Sequence, residues 1–452
     1  MTSSAVIGLT FLGTWVPLEQ LAYRLLFNLR GERPWDERVV VIAIDEKTLD
    51  ALGQYPLPRN HHIELLKQLQ SIDSMVIGFD ILMNEASDND EALADQINQY
   101  GGRIVFPWAR SYEKEFTILS HPTLLNSSLS LGHIVSSHED DGFGRQVDLF
   151  HPLQIPESTT QYSCCFLHDA LVPLNPERIT GGSFIQPIQD SITSSSPSLD
   201  SVETLDVGLP SLGLRLLQIR NLISFDTLVD LPSPATLQSD STLPSPYTFP
   251  APNTYWINWP GSVETLQARN QQYSYIDVLR GQVSPEVFAE KIVLVGYTVI
   301  GVDDMRTPFD SARVKRDKKA VSGVHLQAAL IDNLLNNQPL KPLLTRNPFF
   351  SIFRADSELG PQNTPLIIVL CVLGPGVAWL ASKRPLPWQV MTSGILIGGW
   401  MAIALVLFHV GYWVPTVAPI VTIGLTIGII ACYEYIESKS AIKTHSQFMA
   451  TM

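Results

Sequence analysis

The stretch VVVIAID, from Val39 to Asp45, decides how this chain folds. It is a continuous run of mainly β-branched residues, which is typical of a strand that is buried on both faces of a parallel sheet. Three later stretches repeat the pattern: MVIGFD (residues 75–80), RIVFPW (residues 103–108) and KIVLVGY (residues 291–297). Four buried strands are therefore expected at the centre of the fold.

Helical segments separate the predicted strands. Residues 62–71 and 92–100 predict two helices between the early strands, and residues 326–334 place leucines on one face of a longer helix. Residues 255–259 predict a further short strand, and residues 275–279 a short helix. This alternation predicts an α/β domain with a mainly parallel sheet and right-handed crossovers, fed by strands from both ends of the segment.

A tract rich in Ser, Thr, Pro and Leu interrupts this pattern at residues 173–252. Proline removes hydrogen bonds from a sheet, and clusters of serine favour turns. We therefore predict a long insertion or surface loop, within which residues 212–222 form a helix.

The composition indicates that part of the chain lies in a membrane. Hydrophobic residues make up 45% of the 452 residues, and charged residues make up 16%, against roughly 25% in soluble chains. The 30 Lys and Arg residues and 44 Asp and Glu residues give a formal net charge of −14. Such a charge repels phosphate backbones, so nucleic acid is not an expected partner.

Three apolar runs predict an α-helical transmembrane region. They cover residues 366–382, 388–410 and 414–433, and such lengths suit helices that cross a bilayer. Lys383 and Arg384 come directly after the first run, and positive charge favours the cytoplasmic side of a membrane. The polar region that precedes these helices is therefore expected outside the cytoplasm, in a multi-pass protein of the cytoplasmic (inner) membrane.

The apolar N-terminal segment, residues 5–18, is short for a span. It could be a tilted span that continues to residue 27, a span truncated by a late start, or an uncleaved signal anchor. We favour a span, because four crossings leave both ends inside. The expected organisation, in chain order, is a membrane anchor and connector (1–33), an extracytoplasmic domain (34–345), a linker (346–365), three transmembrane helices (366–435) and a short cytoplasmic tail (436–452).

Asp45 and Asp80 each end a predicted parallel strand. In open α/β sheets ligands bind beyond the carboxyl ends of the strands, so both carboxylates are candidates for binding a cation or a ligand amine. Each could instead cap the next turn or helix by accepting backbone N–H groups. Arg59 could bind a carboxylate or phosphate, or it could pair with Asp45 or Asp80.

The loop after the last predicted strand supplies three further candidates for ligand binding. Asp303, Asp304 and Arg306 come after residues 291–297 and are expected at the same edge of the sheet. The EDDG sequence at residues 139–142 lacks the carboxylate spacing of an EF-hand and predicts a turn.

No motif in the sequence predicts a metal, a cofactor or a catalytic residue. His61, His62 and His325 are too scattered to form a zinc-binding pattern. Gly296 lies in a predicted strand end without the GxGxxG or Walker lysine of a phosphate-binding loop. The chain is therefore not expected to be an enzyme.

Several ordered motifs together resemble a known family. In chain order they are VVIAIDEKTLDALGQYPLPRN (40–60), MVIGFDILM (75–83), EDDGFGRQVDLF (139–150), INWPGS (257–262), YSYIDVLRGQVSPEVFAEKIVLVGYT (273–298), DDMRTPFD (303–310) and VSGVHLQAALIDNLLNNQPLKP (321–342). They are similar to the second type of CHASE domain, the cyclase- and histidine-kinase-associated sensory extracellular domain. The resemblance covers about residues 36–342, and the three C-terminal helices are also similar to that family.

The resemblance implies an extracytoplasmic domain that binds a small-molecule or protein ligand and signals through membrane helices to a cyclase or kinase. Only 19 residues come after Tyr433, too few for an output domain. The output is therefore expected from a separate polypeptide, unless the chain is truncated or has another role. Membrane lipid and a second copy of the chain are further expected partners, because Gly424 and Gly428 form a GxxxG that permits close helix association.

Two other classes of function stay open from the residues alone. One is an extracytoplasmic metal-dependent enzyme that uses Asp45 and Asp80 as metal ligands or as acid and base. The other is a non-catalytic membrane assembly factor without a ligand.

Overall fold

The computed structural model describes residues 2–72, 75–100, 103–110, 117–128, 131–138, 142–152, 172–173, 207–220, 254–309, 321–344, 364–382 and 384–451. Most of the predicted insertion (173–252) and of the predicted linker (346–365) lies outside these residues, as do Glu139, Asp140 and Asp141 of the EDDG turn and Lys383. The chain divides into an α/β unit, Arg33–Pro339, and a helical unit formed by Met1–Glu32 with Leu340–Met452.

The secondary structure of the described residues is numbered in chain order. The helices are α1 (Thr2–Phe11), α2 (Val16–Arg30), α3 (Glu46–Leu52), α4 (Arg59–Leu69), α5 (Asp90–Asn98), α6 (Pro122–Ser128), α7 (Leu212–Ile219), α8 (Val263–Ala268), α9 (Tyr275–Leu279), α10 (Gly323–Leu335), α11 (Thr364–Ala381), α12 (Leu386–His409) and α13 (Val417–Thr451), with a 3-10 helix at Pro285–Phe288. The strands are β1 (Val39–Ile44), β2 (Val76–Asp80), β3 (Ile104–Arg110), β4 (Thr117–Leu119), β5 (Leu131–His133), β6 (Ser136–His138), β7 (Gly144–Asp148), β8 (Phe150–Pro152), β9 (Val172–Pro173), β10 (Val207–Pro210), β11 (Thr254–Trp256), β12 (Gln272–Ser274), β13 (Ile292–Tyr297), β14 (Asp304–Met305), β15 (Val321–Ser322), β16 (Lys341–Pro342) and β17 (Tyr412–Trp413).

The main sheet of the α/β unit has the order β12-β1-β13-β2-β3-β4, and β5 also pairs with β3. All of its pairings are parallel except that of β3 with β4. The late strand β13 lies between the early strands β1 and β2, and its register with β1 runs from Val39 opposite Ile292 to Ile44 opposite Tyr297. The prediction of a mainly parallel sheet fed from both ends of the segment is confirmed.

Helices cover both faces of this sheet, so its central strands are buried. On one face, alternate residues of β1, such as Ile42, belong to one apolar cluster with Leu65 and Leu66 of α4. On the other face, α7 and α10 lie against glycines: a Cβ on Gly78 would meet Leu216 at 2.6 Å, and one on Gly296 would meet Val324 at 2.8 Å. Gly296 therefore serves close helix packing rather than a phosphate-binding loop.

Helix α7 belongs to the core of the α/β unit. Its side chains Leu212, Leu214, Leu216 and Leu217 are fully buried, and Ser211 caps its first turn by accepting a hydrogen bond from the backbone of Leu214. Within the described residues, the Ser- and Pro-rich tract thus contributes one helix to a central layer.

The two end segments of the α/β unit are hydrogen-bonded to each other. The Arg33 guanidinium donates hydrogen bonds to the Gln338 side chain and, at 2.9 Å, to the carbonyl of Asn258. The backbone N–H of Asp36 donates to Asp332 on α10 at 2.7 Å. The segment that enters the unit therefore lies beside the segment that leaves it.

Among its described residues, the helical unit contains two helices that are long and apolar enough to cross a membrane, Leu386–His409 and Val417–Ser440. Helix α11 contains a shorter apolar segment, Pro365–Ala381, so the predicted third crossing stays a prediction. The N-terminal segment is not one continuous helix to residue 27, because the chain turns between α1 and α2, where Gly13 adopts a φ of 68° and Pro17 lies in the first turn of α2. The predicted alternative of one tilted helix that continues to residue 27 is therefore wrong. Its cause is Pro17, because proline favours the first turn of a new helix.

Candidate functional site

A cavity of about 510 Å³ opens at the carboxyl edge of the main sheet. The segments that come after β1, β2, β5 and β13 supply most of its lining. Parallel strands present these segments at one edge, which is where ligands bind in open α/β sheets. The volume lies in the range of small-molecule sites, roughly 300 to 1,000 Å³.

Asp80, the last residue of β2, presents its carboxylate to this cavity. Within the part of the chain that the structure describes, this carboxylate has no hydrogen-bond partner. Asp303 lies beside it, because a Cβ built on Gly323 would stand 2.3 Å from Asp303 Oδ2 and 3.3 Å from Asp80 Oδ2. Asp303 Oδ2 accepts a hydrogen bond from the backbone N–H of Gly323 at 2.7 Å, at the amino end of α10, where negative charge is stabilised.

The surroundings of Asp80 disfavour its charge. Burial, together with the smaller effect of the nearby Asp303 charge, raises the pKa of Asp80 to about 8. The Asp80 carboxyl is therefore mainly protonated at neutral pH. A cationic group placed beside it would favour the ionised form.

Arg59 also lines the cavity, but its charge is paired with Asp90. Its Nε donates to Asp90 Oδ1 at 3.0 Å, and its Nη2 donates to the carbonyl of Glu85 at 3.0 Å. Asp90 also accepts from the backbone N–H of Ser87 at 2.8 Å and lies 3.3 Å from His121 Nδ1. The predicted alternative that Arg59 pairs with Asp45 or Asp80 is wrong, because the first turn of α5 brings Asp90 to the guanidinium.

Asp45 has a different environment from Asp80. It caps α3, accepting from the backbone N–H of Thr48 at 3.0 Å and from the Thr48 hydroxyl at 2.7 Å. The Ser274 hydroxyl on β12 donates to the same oxygen at 2.7 Å. The carboxylate is thus used within the fold, and Asp45 does not line the cavity.

Asp304 and Arg306 lie on β14 and just beyond it, outside the cavity lining. Asp304 accepts a hydrogen bond from the backbone N–H of Gly301 at 2.9 Å and is exposed. The backbone of Arg306 bonds to that of Gly142 and Gly144, and its side chain is exposed. Of the six candidate residues, the structure therefore brings Arg59, Asp80 and Asp303 to one cavity.

The remaining walls combine apolar and aromatic side chains that the sequence did not single out. Leu326 and Met83 contribute apolar surface. The Tyr297 hydroxyl accepts a hydrogen bond from the backbone N–H of Leu57 at 2.9 Å, and its ring meets that of Tyr55 with centroids 5.1 Å apart. The sequence YPLP at residues 55–58 is the feature that could have predicted this wall. Its two prolines make the segment after α3 rigid, and a rigid segment can hold an aromatic side chain in place.

Two of the buried histidines, His62 and His325, are bonded within the fold. His62 bonds through Nδ1 to the Tyr275 hydroxyl at 3.0 Å, and burial lowers the pKa of His62 to about 3. His325 Nδ1 accepts from the backbone of Ser322 at 3.1 Å in a capping box, and burial lowers its pKa to about 4. Among the residues that can be described, no group of three or more His, Cys, Asp or Glu side chains is placed to hold a metal ion.

A ligand-sized cavity at the edge of an α/β sheet, in a chain with two helices long and apolar enough to cross a membrane, indicates a membrane-attached domain that can bind a ligand. The chain belongs to the CHASE2 domain family, whose profile matches residues 1–354. This is a family of sensory extracellular domains rather than of catalytic ones. No curated protein and no solved structure matches the chain.

Proposed function

We propose that this chain is an extracytoplasmic sensor whose cavity binds a small molecule carrying an organic ammonium group. The observation that carries the proposal is the carboxylate of Asp80, which lines the cavity beside Asp303 and accepts no hydrogen bond from the residues that the structure describes. Glu85 also lines the cavity, so three acidic residues oppose Arg59, whose charge Asp90 already balances. A cationic group therefore complements this cavity best.

The shape and walls of the cavity favour an organic cation over a metal ion. A hard cation such as Ca²⁺ takes about 6–8 oxygen ligands, whereas two carboxylates meet at Gly323. A cavity of about 510 Å³ with Leu326, Met83 and Tyr297 in its lining suits an apolar or aromatic body attached to the ammonium group.

The signal passes through the membrane helices to a separate partner, a cyclase or a kinase, in a multi-pass arrangement. A ligand shifts such a system only if it binds one conformation more tightly than the other. The GxxxG positions support association with a second copy, since a Cβ on Gly424 or Gly428 would meet no atom within 4 Å of the described residues.

The test is a thermal-shift screen of the full chain in lipid nanodiscs. Tyramine, phenethylamine and cadaverine are compared with their fully N-acetylated derivatives, in which every amine is neutral, and with CaCl₂ and MgCl₂. A bound amine raises the unfolding temperature by mass action, and its neutral N-acetyl form does not. Asp80→Asn removes the ionisable carboxyl at nearly constant shape and abolishes the shift, whereas Asp304→Asn, at an exposed residue outside the cavity lining, keeps it.

Calorimetry adds a second readout. Because the ammonium group favours ionised Asp80, binding at pH 7 releases protons, and the measured heat varies with the ionisation enthalpy of the buffer. Equal shifts with amines and N-acetyl derivatives would contradict the ammonium class, and a response to Ca²⁺ alone would favour a metal site. A chemical change in the bound amine would favour the enzyme alternative, and no shift with any probe would weaken the sensor proposal itself.

A further inference from the structure

Helix α2 in the helical unit presents three faces of different chemistry. Its buried face, exposed by 3% or less, consists of Glu19, Tyr23, Leu26 and Phe27. Its leucine face consists of Leu18, Leu21, Leu25 and Leu29, which succeed one another at helical spacing. Its polar strip, beside the leucine face at successive four-residue steps, consists of Gln20, Arg24 and Asn28.

The buried face attaches α2 to one end of the two membrane-length helices. The Tyr23 ring lies 4.9 Å from that of Trp413, and the Phe27 ring lies 4.8 Å from that of Phe408. Phe408 belongs to the last turn of α12, and Trp413 lies in the short connection to α13. Helix α2 therefore lies against the hairpin end of α12 and α13.

Glu19 fixes this attachment. Its carboxylate accepts hydrogen bonds from the backbone N–H of Thr416 at 3.0 Å and of Val417 at 2.6 Å. Both amides lie at the amino end of α13, which begins at Val417, and have no partner within the helix. A carboxylate there is stabilised by the helix dipole as well as by the hydrogen bonds. The attachment therefore determines which face of α2 turns outward.

The leucine face is uncovered within the described residues. Leu18, Leu21, Leu25 and Leu29 are 47%, 60%, 46% and 54% exposed. The adjoining helix α12 is apolar and almost entirely uncovered by the rest of the described residues, so its surface suits contact with lipid acyl chains. The leucine face thus continues an apolar surface that begins on the membrane-length helices.

From these contacts we infer that α2 lies in the interfacial layer of the bilayer, with its leucine face in the acyl region and Arg24 at the phosphate groups. At 15 residues the helix is about 22 Å long, shorter than the roughly 30 Å hydrocarbon core, so it does not span. An amphipathic helix with leucines on one face and a basic side chain beside them binds membrane surfaces in this way.

A second copy of the chain is the rival occupant of the leucine face. Four half-exposed leucines offer much less than the ~800 Å² that each partner contributes to a stable interface. Arg24 in the polar strip carries a positive charge, which suits the phosphate groups of a lipid surface.

The test places nitroxide labels on the full chain in nanodiscs of phosphatidylcholine with phosphatidylglycerol. Cys164, Cys165, Cys371 and Cys432 are first replaced by serine or alanine, and Leu21→Cys, Leu25→Cys or Asn28→Cys is then introduced singly. Oxygen concentrates in acyl chains, and the nickel chelate NiEDDA concentrates in water. The expected ratio of oxygen to NiEDDA accessibility is several-fold higher at positions 21 and 25 than at position 28.

Equal, high NiEDDA accessibility at all three positions would place α2 in water and overturn the proposal. Low accessibility to both agents with spin–spin broadening at positions 21 and 25 would instead show a second copy on the leucine face. An independent measurement uses the unmodified chain and a lipid with a diazirine on its acyl chain. After illumination, mass spectrometry should find lipid adducts on residues 18–29, and their absence there, with adducts on α12, would contradict the inference.

Discussion

Asp45 and Asp80, at the ends of β1 and β2, have the same position in the sequence pattern but different surroundings in the structure. Both come at the end of a buried strand and reach the same edge of the sheet, yet Asp45 accepts three hydrogen bonds, and Asp80 accepts none from the described residues. The difference lies in the segment that succeeds each strand. Helix α3 begins directly after Asp45 and turns its amides toward the carboxylate, whereas residues 81–89 contain no helix.

The comparison separates a carboxylate that stabilises the fold from one that is available to a ligand. Removing a carboxylate that accepts hydrogen bonds within the fold should lower the free energy of unfolding. Removing one without such bonds should instead weaken ligand binding. Four substitutions, in descending order of expected effect, test whether this distinction holds around the cavity.

Asp90→Ala should have the largest effect on stability. It leaves the Arg59 guanidinium buried without its carboxylate, and breaking a buried pair costs about 3–5 kcal/mol. The free energy of unfolding of the full chain in nanodiscs, measured by denaturant titration with tryptophan fluorescence, should fall by that amount. Glu91→Ala, on the exposed side of the same helical turn, should change the free energy of unfolding little. Equal losses for the two variants would mean that the Arg59–Asp90 pair does not stabilise the fold more than an exposed acidic residue does.

Asp45→Ala should lower the free energy of unfolding by about 2 kcal/mol. The change removes a helix cap and two hydroxyl partners, and leaves the Thr48 amide unsatisfied. The same denaturant titration measures it, with Asp50→Ala on the exposed face of α3 as the matched control. If Asp45→Ala proved neutral while abolishing the amine-dependent shift, the roles assigned to Asp45 and Asp80 would be reversed.

Asp80→Asn should change stability in the opposite direction. The folded-state pKa of Asp80, about 8, exceeds its usual 3.8, so the native state binds the extra proton and stability falls as pH rises between about 4 and 8. The variant removes this cost and should be more stable than the unsubstituted chain by about 1–2 kcal/mol at pH 8, with little difference near pH 4.

Thermal unfolding at pH 4, 6 and 8 measures this dependence. Asp304→Asn serves as the control, since Asp304 lies outside the cavity and is exposed. A pH profile for Asp80→Asn parallel to that of the unsubstituted chain would show that Asp80 is not the titrating group.

Lys47→Met should have the smallest effect. Lys47 Nζ lies 2.6 Å from Asp277 on the exposed side of α3, and solvent screens such pairs, so the expected loss is no more than about 0.5 kcal/mol. The same titration measures it. A loss as large as that of Asp45→Ala would mean that charge pairing, rather than hydrogen bonding to Asp45, holds the end of β1.

The sequence was sufficient for the strands and helices because their signals are local. Continuous β-branched runs predicted β1 and β13, and leucine spacing predicted α10, each within a few residues of its observed bounds. The segment at residues 212–222 was also predicted as a helix, but its place against β2 depends on Gly78, which lies far away in the sequence.

The cavity required tertiary structure. Asp80 and Asp303 were both candidates, but only the insertion of β13 between β1 and β2 brings them together at Gly323. Nothing local distinguishes Asp45 from Asp80 without knowing that a helix starts at once after the first. The role of Asp90 as the partner of Arg59 could not be predicted, because an acidic residue is common in the first turn of a helix.

The bond between Arg33 and Gln338 has a practical consequence. Because the entry and exit of the α/β unit are neighbours, a short loop can join them, and new termini can be opened elsewhere on its surface. The same proximity makes the unit a cassette that could be transplanted between the helices of an unrelated membrane anchor with little distortion of the recipient.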